Sequence, residues 1–175
     1  MIMRLDATTA DCTIFTYKDG LLSVVAHDLQ IRVTAFAITL DEPTWHLDAR
    51  FDATSLRVTG VMRNGVLAPD VLSAADKRTI EQQIVRDVLH ADRFPEIRFT
   101  SDTATARDDQ LVVDGILALH GREGRLTVCA IRTGARWSAD ARLHQPDFGI
   151  TPYRAMLGTL RVQADVIVRV VVPKL

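Results

Sequence analysis

Apolar and polar residues alternate with period two along most of this chain. The clearest run is Leu160 to Val172. Its even positions are all apolar (Leu160, Val162, Ala164, Val166, Val168, Val170, Val172), and its odd positions include Arg161, Gln163, Asp165 and Arg169. Successive side chains on a strand point to opposite faces, so the run predicts a strand with one dry face. At ~3.3 Å per residue it would span about 43 Å, against an ordinary strand length of about five to six residues. A dry side of that length must be covered throughout, which a sheet closed on itself around something apolar would do.

The same alternation recurs at Trp45, Leu47, Ala49, Phe51 and Ala53, and again at Trp137, Ala139, Ala141 and Leu143. It recurs at Leu111, Val113, Gly115, Leu117 and Leu119, and from His27 to Thr39, where Leu29, Ile31, Val33, Ala35 and Ala37 share a phase. Ile97, Phe99 and Ser101 begin a further strand, and Thr13–Tyr17 and Leu126–Arg132 bring the total to about eight. Asp19-Gly20, Asp41 to Pro43, Asp108-Asp109, Gly121 to Gly124 and Gly134 punctuate them as turns. From Ser73 to His90 the period changes: Ile80, Ile84, Val85, Val88 and Leu89 have helical spacing, and Ser73 with Asp76 resembles a capping box. Phe94-Pro95 returns the chain to extended geometry. Arg57 to Leu72 reads as irregular, with a tight turn and a small hairpin at Asn64-Gly65. The expectation is one all-β domain over residues 1–175: an extended eight-stranded antiparallel barrel with one amphipathic helix at about 73–90.

An eight-stranded barrel either fills itself or leaves room for one small ligand. The phases read as inward are rich in small residues: Ala35, Ala37, Ala49, Ala53, Gly115, Ala139, Ala141 and Ala164. That favours a hollow interior with an aliphatic lining, suited to an elongated apolar guest. The opposing reading is a filled barrel, with small residues at corners and the helix as a plug.

Composition narrows the functional classes. Of 175 residues 47% are hydrophobic and the net charge is −1 with the signs mixed, so nothing in the balance recommends nucleic acid or an anionic membrane surface as partner. Asp6 and Asp11 interrupt what would be the apolar core of a signal peptide, giving the expectation of a cytoplasmic protein. Cys12 and Cys129 could pair, but without CxxC spacing each reads as a small hydrophobe. The five histidines (His27, His46, His90, His120, His144) lack metal-ligand spacing, so no metal or cofactor is expected. Motifs of nucleotide binding and a nucleophile elbow are absent. Asp147-Phe148-Gly149 spells a kinase triplet without the other kinase elements.

Several short motifs, in order, resemble one family. Phe94-Pro95-x-Ile97-x-Phe99-x-Ser101, then Gly115-x-Leu117-x-Leu119-x-Gly121, then Asp147-Phe148-Gly149-Ile150 are similar to signatures of the YceI-like polyisoprenoid-binding proteins. Ala26-His27 and Ser55-Leu56 fit two earlier family elements. The resemblance spans about residues 12–173. It implies a lipocalin-like barrel with a helix at one side, an isoprenoid or similar lipid inside, and no catalysis; many relatives are exported to the periplasm. The chain departs at Ala118, where threonine is usual, and at Gln145-Pro146, where an arginine often precedes the Asp-Phe-Gly element.

The candidate ligand-lining residues are Leu29, Ile31, Val33, Phe99, Leu117, Phe148, Val166 and Val168, with His27 and Asp147 as polar groups near a head group. Two readings of His27 stand open, a ligand contact or a core histidine bonded to a carbonyl. The expected function is binding and sequestration or transport of an elongated apolar lipid, isoprenoid or quinone-like. The alternatives are a filled structural barrel acting through its surface, and a small enzyme with His27 as general base. A homodimer through an exposed strand edge is a further expectation.

Overall fold

The structure is a computed structural model that describes residues 1–20, 27–42 and 44–173. In chain order its strands are β1 (Ile2–Asp6), β2 (Asp11–Thr16), β3 (Asp28–Val33), β4 (Phe36–Asp41), β5 (His46–Asp52), β6 (Leu56–Arg63), β7 (Val66–Ala68), β8 (Glu96–Arg107), β9 (Gln110–Leu119), β10 (Arg122–Thr133), β11 (Arg136–His144), β12 (Arg154–Ala155), β13 (Leu160–Arg161) and β14 (Asp165–Val172). Twelve of them form one antiparallel sheet in the order β1-β4-β5-β8-β9-β10-β11-β14-β2-β3-β6-β7, and β12 pairs with β13 in a separate hairpin.

The count of twelve corrects the expected eight. β1 precedes the first expected strand. Residues 27–39 divide into β3 and β4. The stretch read as irregular holds β6 and β7, joined through Asn64 and Gly65 at φ 51° and 77°, the backbone such a tight hairpin turn requires.

The breaks explain how the sheet curls. β3 continues into β4 and β5 into β6, so these four strands are two halves of one long hairpin whose parts stand near opposite ends of the strand order. At the corner the Thr34 N–H and hydroxyl both donate to the Ser55 carbonyl (3.0 and 2.9 Å), and the Asp52 N–H donates to the Ala35 carbonyl (3.0 Å). The Ser55 hydroxyl accepts the Ala35 N–H at 3.1 Å. Pairing therefore passes round the corner, and the sheet wraps one interior.

The corner also inverts a phase. Ile31 and Val33 are buried on odd positions, then Phe36, Ile38 and Leu40 on even ones, leaving Ala35 and Ala37 exposed. Thr34-Ala35 inserts an odd step, and an odd step sends every later side chain to the other face. Leu160–Val172 is likewise not one strand. β13 pairs only with β12, Val162 makes a single bridge to Lys18, and the ladder of β14 starts at Asp165. The phase nevertheless survives, because the Gln163 N–H donates to the Tyr17 carbonyl (2.8 Å) and carries the chain past the gap in register.

Helix α1 (Ala74–Gln83) begins at the expected capping box: the Ser73 hydroxyl accepts the Asp76 N–H, and the Asp76 carboxylate accepts the Ser73 N–H. A π-helical turn, Ile84–Val88, extends it, with the Leu89 N–H donating to the Ile84 carbonyl at 2.9 Å. The helix packs on β6, and Glu81 accepts the Val58 N–H at 2.8 Å beside a bulge in the β3–β6 pairing. Outward arginines pair with aspartates as a solvated face does, Arg98 with Asp48 and Arg169 with Asp140 among them.

Candidate functional site: an apolar cavity

The inward faces enclose a cavity of about 570 Å³. Its wall draws on every long strand and on one side of the helix, where Ile80, Gln83, Ile84, Val88 and Leu89 contribute. The π-helical turn widens the backbone locally, and such turns are frequent at functional sites. Some of the expected small residues do open the space: Ala49, Ala139 and Ala141 lie on the wall. Others do not. Ala35 and Ala37 face out, Ala53 is buried at the corner, and Ala164 lies off the wall. Gly115 is inward but serves packing: a Cβ there would stand 2.7 Å from the Phe99 ring and 2.3 Å from the Thr100 carbonyl oxygen.

No aspartate, glutamate, lysine or arginine lies on the described wall. Apart from the indoles of Trp45 and Trp137, its polar side chains are Thr16, His27, Gln83, Gln145 and Tyr153. A chain of bonds gathers four of these at one end, where β2 and β11 finish and β3 and β14 start. Asp28, next to His27, accepts the Lys18 N–H (2.8 Å), two residues beyond Thr16. The Gln145 amide donates to the Gln163 carbonyl (3.0 Å), and the Val162 N–H donates to the Tyr153 carbonyl (3.1 Å). A general base needs a partner that orients it; the described wall offers His27 no carboxylate.

Of the residues singled out in the sequence, His27, Leu29, Ile31, Val33, Phe99, Leu117, Val166 and Val168 lie on this wall. Asp147 and Phe148 do not. They sit in a 3-10 turn, Gln145–Phe148, that turns Asp147 to solvent and packs Phe148 against Gly124. The residue of that turn facing the cavity is Gln145. The departure at this position, glutamine where an arginine is frequent, was the available signal. Tyr153, Ala155 and Met156 gave none, since their segment carries no long alternation.

Phe148 belongs to a second cluster at the same end. The His120 Nδ1–H donates to the Phe148 carbonyl (3.3 Å), and His120 Nε2 lies 2.9 Å from His90 Nδ1 at the foot of the helix. The Phe94 ring covers Gly121 and stands 4.8 Å from the His120 ring. The motifs that carry the resemblance thus converge where the helix is fastened to the sheet. Burial holds the His120 imidazole below its ordinary value; the Phe148 carbonyl opposes this, and the charges of His90, Arg122 and Arg93 add to it. Burial pushes the Cys12 thiol up to about 12. Cys12 and Cys129 are both free, one buried and one exposed. Among the described residues no cluster of three His, Cys, Asp or Glu side chains could hold a metal ion.

A curled antiparallel sheet with one helix over a cavity whose described lining carries no charge defines a lipocalin-like fold. The family model of the YceI-like domain matches residues 5–172, and the chain belongs to that family. Among solved structures it is similar to BcnA of Burkholderia cenocepacia, with 15% identity, a TM-score of 0.66 and coverage of 95% of this chain and 97% of that one. It is also similar to a mutant YceI protein of Campylobacter jejuni carrying a monobromobimane guest, with 14% identity, a TM-score of 0.52 and coverage of 69% and 70%. No curated protein matches the chain. Family membership supports a hydrophobic ligand-binding role.

Proposed function

We propose that the protein binds an elongated apolar lipid, isoprenoid or quinone-like, in this cavity and thereby sequesters or carries it. The observation that carries the reading is the wall itself: about 570 Å³ bounded by aliphatic and aromatic side chains, no charge among the described lining residues, and polar groups gathered at one end. Each methylene removed from water contributes about 0.8 kcal/mol, so a long hydrocarbon tail can be held without polar contacts along its length. Leu29, Ile31, Val33, Phe99, Leu117, Val166 and Val168 would touch the tail. His27, with Thr16, Gln145 and Tyr153, would meet the head.

No carboxylate shares the described wall with His27, and Asp28 beside it is engaged by the Lys18 N–H, which favours binding over catalysis. β1 ends the strand order with one edge unpaired among the described residues, which supports a homodimer formed by edge-to-edge pairing. Sedimentation velocity with and without a proline in place of Arg4 tests that feature. The decisive experiment for the main reading is native mass spectrometry and lipid extraction after expression in a lipid-rich host. A stoichiometric co-purified isoprenoid or quinone is expected. Repeated recovery of empty protein, together with failure to take up added polyprenol or quinone, would refute lipid carriage.

A further inference from the structure

The β12–β13 hairpin is the one place among the described residues where two consecutive non-glycine residues take a left-handed backbone. Its turn places Met156 and Leu157 at φ 52° and 56°, a left-handed backbone that favours asparagine and glycine. Elsewhere this chain meets the same demand with Asn64-Gly65 and His120-Gly121. Here two large apolar side chains take the strained positions and are exposed, Leu157 completely so. Neither folding nor solubility asks for them, and an unexplained local conflict of this kind marks a functional site.

The surroundings say what the tip meets. Arg154 and Arg161 face each other across the hairpin, both exposed, one on each side of the apolar tip. Among the described residues the one acidic partner of Arg161 is Asp19, at 3.9 Å. Apolar residues that insert, flanked by guanidinium groups that bind phosphate, match the interface of an anionic bilayer. The hairpin is also continuous with the cavity: Tyr153, Ala155, Met156, Leu160 and Val162 line it. A tail leaving the bilayer along this hairpin would reach the interior without crossing water.

We propose that the β12–β13 hairpin docks the protein on an anionic phospholipid surface and presents the cavity mouth to it. This rests on the lipid-carrying reading above. The overall charge of −1 concealed it, because the two arginines and the tip are a local arrangement.

The test is co-sedimentation with vesicles of mixed phosphatidylglycerol and phosphatidylcholine, beside pure phosphatidylcholine, for the unaltered chain, Leu157→Asp, and the double variant Arg154→Glu with Arg161→Glu. Quenching of tryptophan fluorescence by a soluble quinone reads cavity binding separately. The unaltered chain is expected to bind the anionic vesicles, less so as salt rises. Leu157→Asp is expected to lose about tenfold or more of that binding, the equivalent of one exposed leucine no longer buried, with quinone quenching unchanged. The double variant is expected to lose the preference for anionic lipid. Absence of vesicle binding, or full binding by Leu157→Asp, overturns the proposal. So does self-association abolished by Leu157→Asp without vesicle binding, which would assign the tip to a second copy. Normal vesicle binding with no quinone quenching would count against lipid carriage and leave the docking surface standing.

Discussion

His90 Nδ1 and His120 Nε2 lie 2.9 Å apart, and the His120 ring donates through Nδ1 to the Phe148 carbonyl. The carbonyl can only accept, so His120 Nδ1 carries hydrogen, and in the neutral ring Nε2 must accept from His90. The chain runs His90 to His120 to Phe148 and fastens the end of the helix to the sheet beside the cavity. A second proton on His120 removes that acceptor, so the contact with His90 persists only if His90 gives up its Nδ1 hydrogen.

The pH dependence follows from the lowered value of His120. The unfolded chain takes up this proton more readily than the folded one, at an ordinary value of about 6.5. The contribution is therefore fully present above about pH 6.5 and declines as pH falls below it toward the folded value. The thermal midpoint is expected to drop between pH 7 and pH 5, and His120→Gln is expected to flatten that part of the profile. Scanning calorimetry across the range checks this; equal slopes for both proteins would refute the link.

Glu81 satisfies a backbone group that the sheet leaves open. The Val58 N–H, next to the bulge, finds its acceptor in the Glu81 carboxylate at 2.8 Å. Glu81→Ala leaves a half-buried donor without a partner and should cost about 1–3 kcal/mol, whereas Glu81→Gln, which keeps an acceptor, should lose much less. Urea unfolding of the two variants separates them.

Gly115→Ala tests the packing against Phe99. The added methyl meets a backbone oxygen at 2.3 Å and an aromatic ring at 2.7 Å, and the backbone oxygen cannot yield cheaply. A loss near the upper end of the ~1–3 kcal/mol typical of overpacked cores is expected, read as a lowered denaturation midpoint.

Ala139→Phe should fill the cavity rather than disturb the sheet. Ala139 lines the open space, so a ring there has room that Gly115 lacks. Weaker uptake of a polyprenol or quinone, by tenfold or more, is expected with stability kept or raised. Unchanged uptake would mean that the lipid does not occupy this volume.

How far the sequence speaks depends on the range of the interaction involved. Periodicity is a property of neighbouring residues: alternation with period two made the strands and the dry face of Val166 to Val172 legible, and helical spacing did the same for the helix from Ser73. The capping box of Ser73 and Asp76 and the Asn64-Gly65 turn were legible for the same reason, since each lies within four residues. Family motifs identified the fold, yet Phe148 lies in the helix fastening and Asp147 in solvent, because a motif records what must be kept and not what it touches.

Contacts between distant segments were decided only by the tertiary structure. The turn at Thr34-Ala35 inverts the phase of Ala35 and Ala37 because Ser55, some twenty residues on, accepts from both residues at the corner. The strand from Leu160 divides because its first residues pair with Arg154 and Ala155 in place of the main sheet. Gln145, Tyr153 and the π-helical turn reach the cavity through such remote pairings. Alternation along the chain therefore determined which faces are dry, while curling of the sheet, whose bonds join residues far apart in sequence, decided which dry residues surround one space.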